Sequence, residues 1–248
     1  YIPTDQLYVL SPDGQPINFK KARRFTRSEM MVMEMLSTNE WKRPMYFATT
    51  VGSDYHLGLD PYLELTGMAY RITPTRSADG RPRVNTEVMY DNMMNKFRYG
   101  NVNKPGIYLD ENTLRMCRTH RMMFSELAEA LYEEGKHDKA IAVLDYAEEM
   151  LPGYNVSYDY TSASMAALYY TLGEMEKGNA IMDQVATNAV EYMEWGTTLE
   201  PASRKAAQST LGHYSAVLGF VLNNLQRFEQ KELFNKYFEL YGQYASVR

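Results

Sequence analysis

The chain has 248 residues, 45% of them hydrophobic and 23% charged, with a formal net charge of −5. That composition is ordinary for a globular protein and excludes disordered and fibrous classes. The single cysteine, Cys117, excludes an intramolecular disulfide and a cysteine-based metal cluster, and no stretch approaches the ~20 apolar residues that a bilayer-spanning helix needs.

Residues 7–10 and 17–19 read as two short extended pieces joined by a Ser11-Pro12-Asp13-Gly14 turn. Residues 20–36 suit an amphipathic helix, with Phe25, Met30, Met33 and Leu36 on one face and Thr26 or Ser28 near its start. Its basic cluster, Lys20, Lys21, Arg23, Arg24 and Arg27, suits an anionic membrane surface or a solvated helix end. A strand is expected over 45–51, a turn-rich loop over 52–61, then a short helix followed by a strand within 62–72. A surface loop over 76–82 precedes a helical stretch at 85–97 and a further loop at 99–110.

From residue 110 the pattern changes. Phe124, Leu127, Ala128, Leu131, Gly135, Ala140, Leu144, Ala147 and Pro152 have the spacing of a tetratricopeptide repeat, a helix–turn–helix unit of about 34 residues. A second unit follows 38 residues on, with Met165, Ala166, Tyr169, Gly173, Gly178, Met182 and Val185 in the matching places. A third, degraded unit holds Leu218, Gly219, Leu222, Leu225 and Phe228. Such units cannot bury their apolar faces alone, so they stack and present long concave surfaces. The expected fold is α+β and mostly helical: a small N-terminal portion, residues 1–109, packed on a tetratricopeptide-like portion of about three helix pairs, residues 110–248.

In this register the inner face carries Met122, Ser125, Glu129 and Tyr132, then Tyr160, Ala163, Ala167 and Tyr170, then His213, Ala216, Phe220 and Asn223. Of these, Met122, Ser125, Glu129, Tyr132, Tyr160, Tyr170, Phe220 and Asn223 are the expected peptide-groove residues. Tyrosine, alanine and acid suit a basic or aromatic peptide, while packing against a further helix of the same chain reads equally well. Ser125 and Glu129 disfavour clamping of a carboxylate tail. Residues 121–248 hold 18 acidic and 10 basic side chains, so nucleic acid is not an expected partner.

No phosphate-binding glycine loop, zinc-ligand spacing or nucleophile elbow occurs, so no catalytic residue, metal ligand or cofactor is expected. The histidines His56, His120, His137 and His213 read as packing or surface residues. The densest polar cluster is Asp54, His56, Asp60 and Glu64, which marks the alternative of a hydrolase or transferase site and equally suits turns and caps. Trp41 and Tyr46 are expected to be buried, with Arg43 bridging to backbone carbonyls or to Glu64.

Asn39-Glu40-Trp41-Lys42-Arg43-Pro44-Met45-Tyr46-Phe47-Ala48, then Val51-Gly52, Leu57-Gly58-Leu59, Leu65-Thr66-Gly67-Met68-Ala69-Tyr70-Arg71, Asn95-Lys96-Phe97 with Tyr99-Gly100-Asn101, and Tyr108-Leu109-Asp110 with Leu114-Arg115-Met116, form a combination of motifs within a resemblance that covers roughly residues 18–152. It resembles the soluble C-terminal region of an uncharacterised family of multi-spanning membrane proteins from Gram-negative bacteria. Their N-terminal membrane bundle is similar to protein O-mannosyltransferases. The resemblance implies a periplasmic domain tethered to the inner membrane, with that bundle as a partner and the acceptor-activating acids outside this chain. The start at Tyr1 reads as that of an excised or processed part. The expected function is a non-catalytic accessory domain that binds acceptor polypeptide or a partner subunit, the alternatives being a structural brace for the bundle or the enzyme site above.

Overall fold

Tyr1–Phe97 and Arg98–Arg248 form two compact units. The computed structural model describes residues 7–20 and 24–244. Lys21 and Arg23 of the basic cluster lie outside the described residues. The fold is α+β, with the strands confined to the first unit. Residues 98–109, assigned above to the N-terminal portion, fall in the second unit, where the Tyr99 ring packs on Phe124 and Tyr146.

In the first unit β1 (Tyr8–Leu10) and β2 (Pro16–Asn18) pair antiparallel around the expected turn. There Gly14 takes φ +80°, a conformation that costs a side chain. Helix α1 (Arg27–Asn39) begins later than the hydrophobic pattern suggests. The cause is a capping box: Thr26 accepts from the Glu29 backbone N–H, and Glu29 accepts from the Thr26 N–H at 2.6 Å. Strand β3 (Tyr46–Ala48) pairs with β5 (Ala69–Ile72), β5 with β4 (Leu63–Leu65), and β4 runs parallel to β6 (Arg83–Val84). The helix expected within 62–72 is therefore a hairpin. Gly67 turns the chain at φ +136°, and β4 is only three residues long, with its central Glu64 buried as well, too short a stretch for a period of two to mark it as a strand.

Ile17, Leu36, Phe47, Leu57, Leu63 and Ile72 centre the core of this unit. Trp41 is half-buried and donates from its indole to the Leu10 carbonyl at 2.7 Å, but Tyr46 is exposed and Phe47 is the buried aromatic. Arg43 is exposed. Arg83 takes the role expected of Arg43, gripping Glu64 from Nε and Nη2 at 3.0 and 2.8 Å. Helix α2 (Thr86–Tyr90), capped by Asn85, runs on into a π-helical turn at Asp91–Lys96.

The second unit is helical: α3 (Glu111–Glu133), α4 (His137–Met150), α5 (Tyr160–Thr171), α6 (Met175–Thr198), α7 (Pro201–Ala206), α8 (Gln208–Arg227) and α9 (Lys231–Tyr244). Short turns join α3 to α4, α5 to α6 and α8 to α9, and each first helix ends in the same way. The N–H groups of Lys136, Glu174 and Gln230 reach back to the carbonyls of Leu131, Tyr169 and Leu225. The left-handed residue at these ends is Gly135, Gly173 and, in the third hairpin, Glu229.

Candidate functional site

The core stripe of α3 runs through Cys117, Arg121, Phe124, Ala128 and Leu131, all buried. The neighbouring stripe, offset by one position, must then face outward. Ser125, Glu129, Tyr132 and Glu133 on that stripe form one wall of a groove of about 440 Å³. Helix α5 supplies the floor with Ser164, Ala167 and Thr171, and α8 the other wall with Phe220, Asn224 and Arg227. Residue numbers rise together along the three helices, so α3, α5 and α8 run parallel and the groove follows their axes. At ~1.5 Å per residue, the eight residues of α5 from Ser164 to Thr171 give it a length of roughly 12 Å.

Toward the N-terminal ends of α5 and α8, a second hollow of about 340 Å³ is lined by Arg118, Asp159, Asn188, Tyr192, His213 and Tyr214 among others. The rings of Tyr192 and Tyr214 stack at 3.9 Å and 7°, and burial, then the Tyr192 hydroxyl, raise the Tyr214 phenol to about 12. Arg118 Nε stands 3.7 Å from Asp159 Oδ2, and Asp159 Oδ1 caps α5 by accepting from the N–H groups of Thr161 and Ser162. Tyr160, lining this hollow, contacts Phe220, lining the groove, with ring centroids 4.7 Å apart.

Ser125, Glu129, Tyr132 and Phe220 thus line the groove, and Tyr160 borders it. Met122 is exposed beside them but is not a lining residue. Asn223 points to solvent and Asn224 lines the wall, because the inner stripe of α8 follows 213, 217, 220, 224 and 227. Tyr170 is 2% exposed and belongs to the core. Tyr132 stands 38 residues before it, yet the two rings go to different places. In the first hairpin Ala140 faces α3. In the second its counterpart is Gly178, and the ring of Tyr170 fills the space a β-carbon would take, 2.5 Å from where that carbon would sit. The Tyr170 hydroxyl donates to Asn179 Oδ1 at 2.7 Å.

The polar cluster of the first unit divides. His56 is 4% exposed and its Nδ1 lies 2.9 Å from Asp60 Oδ1, while its ring packs against Phe47 and Tyr70 and its Nε2 is buried without a hydrogen bond. Glu64 is taken by Arg83 and by Asn85 Nδ2 at 2.8 Å, and Asp54 is exposed, with its carbonyl accepting from Lys20 Nζ. Among the described residues no group of three or more His, Cys, Asp or Glu side chains could hold a metal ion.

Sequence reasoning passed over Arg121. It is fully buried, and its guanidinium donates to the carbonyls of Leu151, Val156 and Ser157 and to Ser162 Oγ. The three carbonyls lie in the loop between α4 and α5 and Ser162 in the first turn of α5, so Arg121 fixes where α5, the groove floor, begins. A cation on the core stripe of α3 was the available signal, since such a group must find partners when buried.

Residues 11–91 match a family model described as TMEM260-associated domain 2. The match fits a domain of a TMEM260-like membrane-protein family, covers the 39–71 motifs and ends before α3. Neither the curated proteins nor the solved structures include a match to this chain. No helix among the described residues is long and apolar enough to cross a membrane.

Proposed function

We propose that the chain is an extracytoplasmic accessory module of a membrane protein with a glycosyltransferase-like bundle. In this reading it faces the periplasm of a Gram-negative cell, tethered to the inner membrane by the rest of that protein. Its three helical hairpins act as a tetratricopeptide-like array and bind a polypeptide, either the acceptor or a partner subunit, in the groove along α3, α5 and α8. The observation that carries the reading is that the groove is open. Its lining residues come from α3, α5 and α8, with Phe228 just past the end of α8, and among the described residues α9 packs on α6 and α8 rather than in the groove. A brace that only covered other parts of the protein would have no need of an unfilled channel with aromatic walls.

The test is photo-crosslinking in cells from a benzoyl-phenylalanine placed at Ser164 or Thr171, in the groove, or at Glu176, an exposed position on α6. Protein adducts are expected from the groove positions and not from Glu176, and Tyr132→Ala with Phe220→Ala should abolish them. Equal adducts from Glu176, or none from the groove, would favour the brace.

A further inference from the structure

We infer that the groove occupant is a short extended segment carrying a lysine or arginine, held against Glu129 and Glu133 on the α3 wall. This rests on the peptide-binding reading and names the chemistry of the ligand.

Several exposed lysines of this unit are paired with carboxylates. Lys177 bonds both oxygens of Asp145 at 2.8 and 2.9 Å, Lys236 meets Asp183 at 2.7 Å, and Lys136 meets Glu134 at 2.6 Å. Glu129 and Glu133, four residues apart and therefore adjacent on α3, have no ion pair or hydrogen bond among the described residues. Two like charges on one helix wall repel, and nothing on that wall relieves them. The cation nearest in the lining, Arg227, stands on the opposite wall with its guanidinium 5.1 Å over the Phe228 ring. No salt bridge crosses the groove between Arg227 and either glutamate.

The groove therefore has an acidic wall, an aromatic wall bearing one cation, and a floor of small residues. A cationic side chain fits the first, and its aliphatic stem or an aromatic neighbour fits Phe220 and Phe228. A carbonyl or carboxylate of the segment meets Arg227. The small floor at Ser164 and Ala167 lets a main chain approach closely. At ~3.3 Å per extended residue, the roughly 12 Å length takes about four residues.

The test pans a displayed random ten-residue peptide library on the full 248-residue chain, on Glu129→Gln/Glu133→Gln, and on Phe220→Ala. The glutamates are exposed, so circular dichroism melts should show the double variant folded like the parent. Peptides enriched on the parent should carry lysine or arginine. They should lose about tenfold in affinity for the double variant, consistent with two modest ion pairs, and should weaken as salt is raised. Peptides that need Phe220 but show no cationic bias and bind the double variant equally would overturn this inference and leave the binding reading standing. If no peptide depends on Phe220, both fall.

Discussion

Nη2 of Arg121 donates to the carbonyl oxygen of Leu151 at 2.7 Å, joining α3 to the end of α4 thirty residues away. The same nitrogen reaches the Val156 carbonyl at 2.8 Å, and the guanidinium lies 5.0 Å from the Tyr158 ring centroid. Burial opposes the charge, and the nearby carboxylate of Glu148, itself hydrogen-bonded by the Tyr158 hydroxyl, opposes that effect. Arg121→Met would leave these carbonyls and Glu148 buried without their cation, and should cost about 3–5 kcal/mol. Arg121→Lys keeps the charge without the planar fork and should recover only part of that. Urea unfolding of the three proteins decides it. A loss below ~1 kcal/mol for Arg121→Met would show that the loop does not depend on this clamp.

Glu229 closes the third hairpin at φ 58°, where Gly135 and Gly173 close the first two. A left-handed residue with a β-carbon is strained by roughly 1–2 kcal/mol, offset in part by the greater chain entropy that glycine loses on folding. Glu229→Gly should therefore stabilise the chain by about 0.5–1 kcal/mol, and Gly135→Ala should destabilise it by a similar amount. Thermal melts showing both changes with the same sign would contradict the equivalence of these turns.

Much of the second unit could be read from the sequence because hairpin signals are local. The spacing from Phe124 to Pro152, with Gly135 at the turn, fixes α3 and α4, and the 38-residue offset finds α5 and α6. Side-chain placement was less legible, since it depends on what lies opposite. Tyr170 has the register of a groove residue but turns inward because Gly178 leaves room, and no periodicity within α5 carries that information. In the first unit, β4 is only three residues long, too short for alternation to mark it as a strand. His56 and Asp60 lie four residues apart and do meet, whereas Glu64 finds Arg83 through the parallel pairing of β4 with β6, a long-range event that local pattern cannot show.

Glu29 links stability to pH in the first unit. Its hydrogen-bonded pairing with Lys20, and next the Thr26 backbone N–H, lower its carboxyl from 4.5 to about 2. A depressed folded-state value means that the carboxylate stabilises the native state above the unfolded value. That contribution is complete above roughly pH 4.5 and is lost as pH falls toward 2. Glu29→Gln should be less stable than the parent at pH 7, with the gap narrowing steadily as pH falls to 2.5. Chemical denaturation at pH 7, 4 and 2.5 measures this, and a gap independent of pH would show that the amide loses only shape or packing.

Gly178 is the position at which one methyl group should redirect a ring. A β-carbon there would sit 2.5 Å from two ring atoms of Tyr170 and 3.1 Å from the Ala166 carbonyl. Tyr170 must therefore leave its pocket, or α5 and α6 must separate. Gly178→Ala recreates the Ala140 of the first hairpin and should cost about 1–3 kcal/mol through this overpacking, despite the better helix propensity of alanine. Gly212→Ala on α8, where nothing lies within 4 Å of the added carbon, isolates the propensity effect and should stabilise by up to ~1 kcal/mol. With the ring expelled, the hydroxyl of Tyr170 loses Asn179 and gains solvent, so its ionisation, now raised by burial, should fall toward the ordinary phenol range. Difference absorbance at alkaline pH, with Tyr170→Phe as the reference, would follow that group. An unchanged Tyr170 titration in a fully folded Gly178→Ala chain would mean that the helices part instead, and the groove floor would then widen.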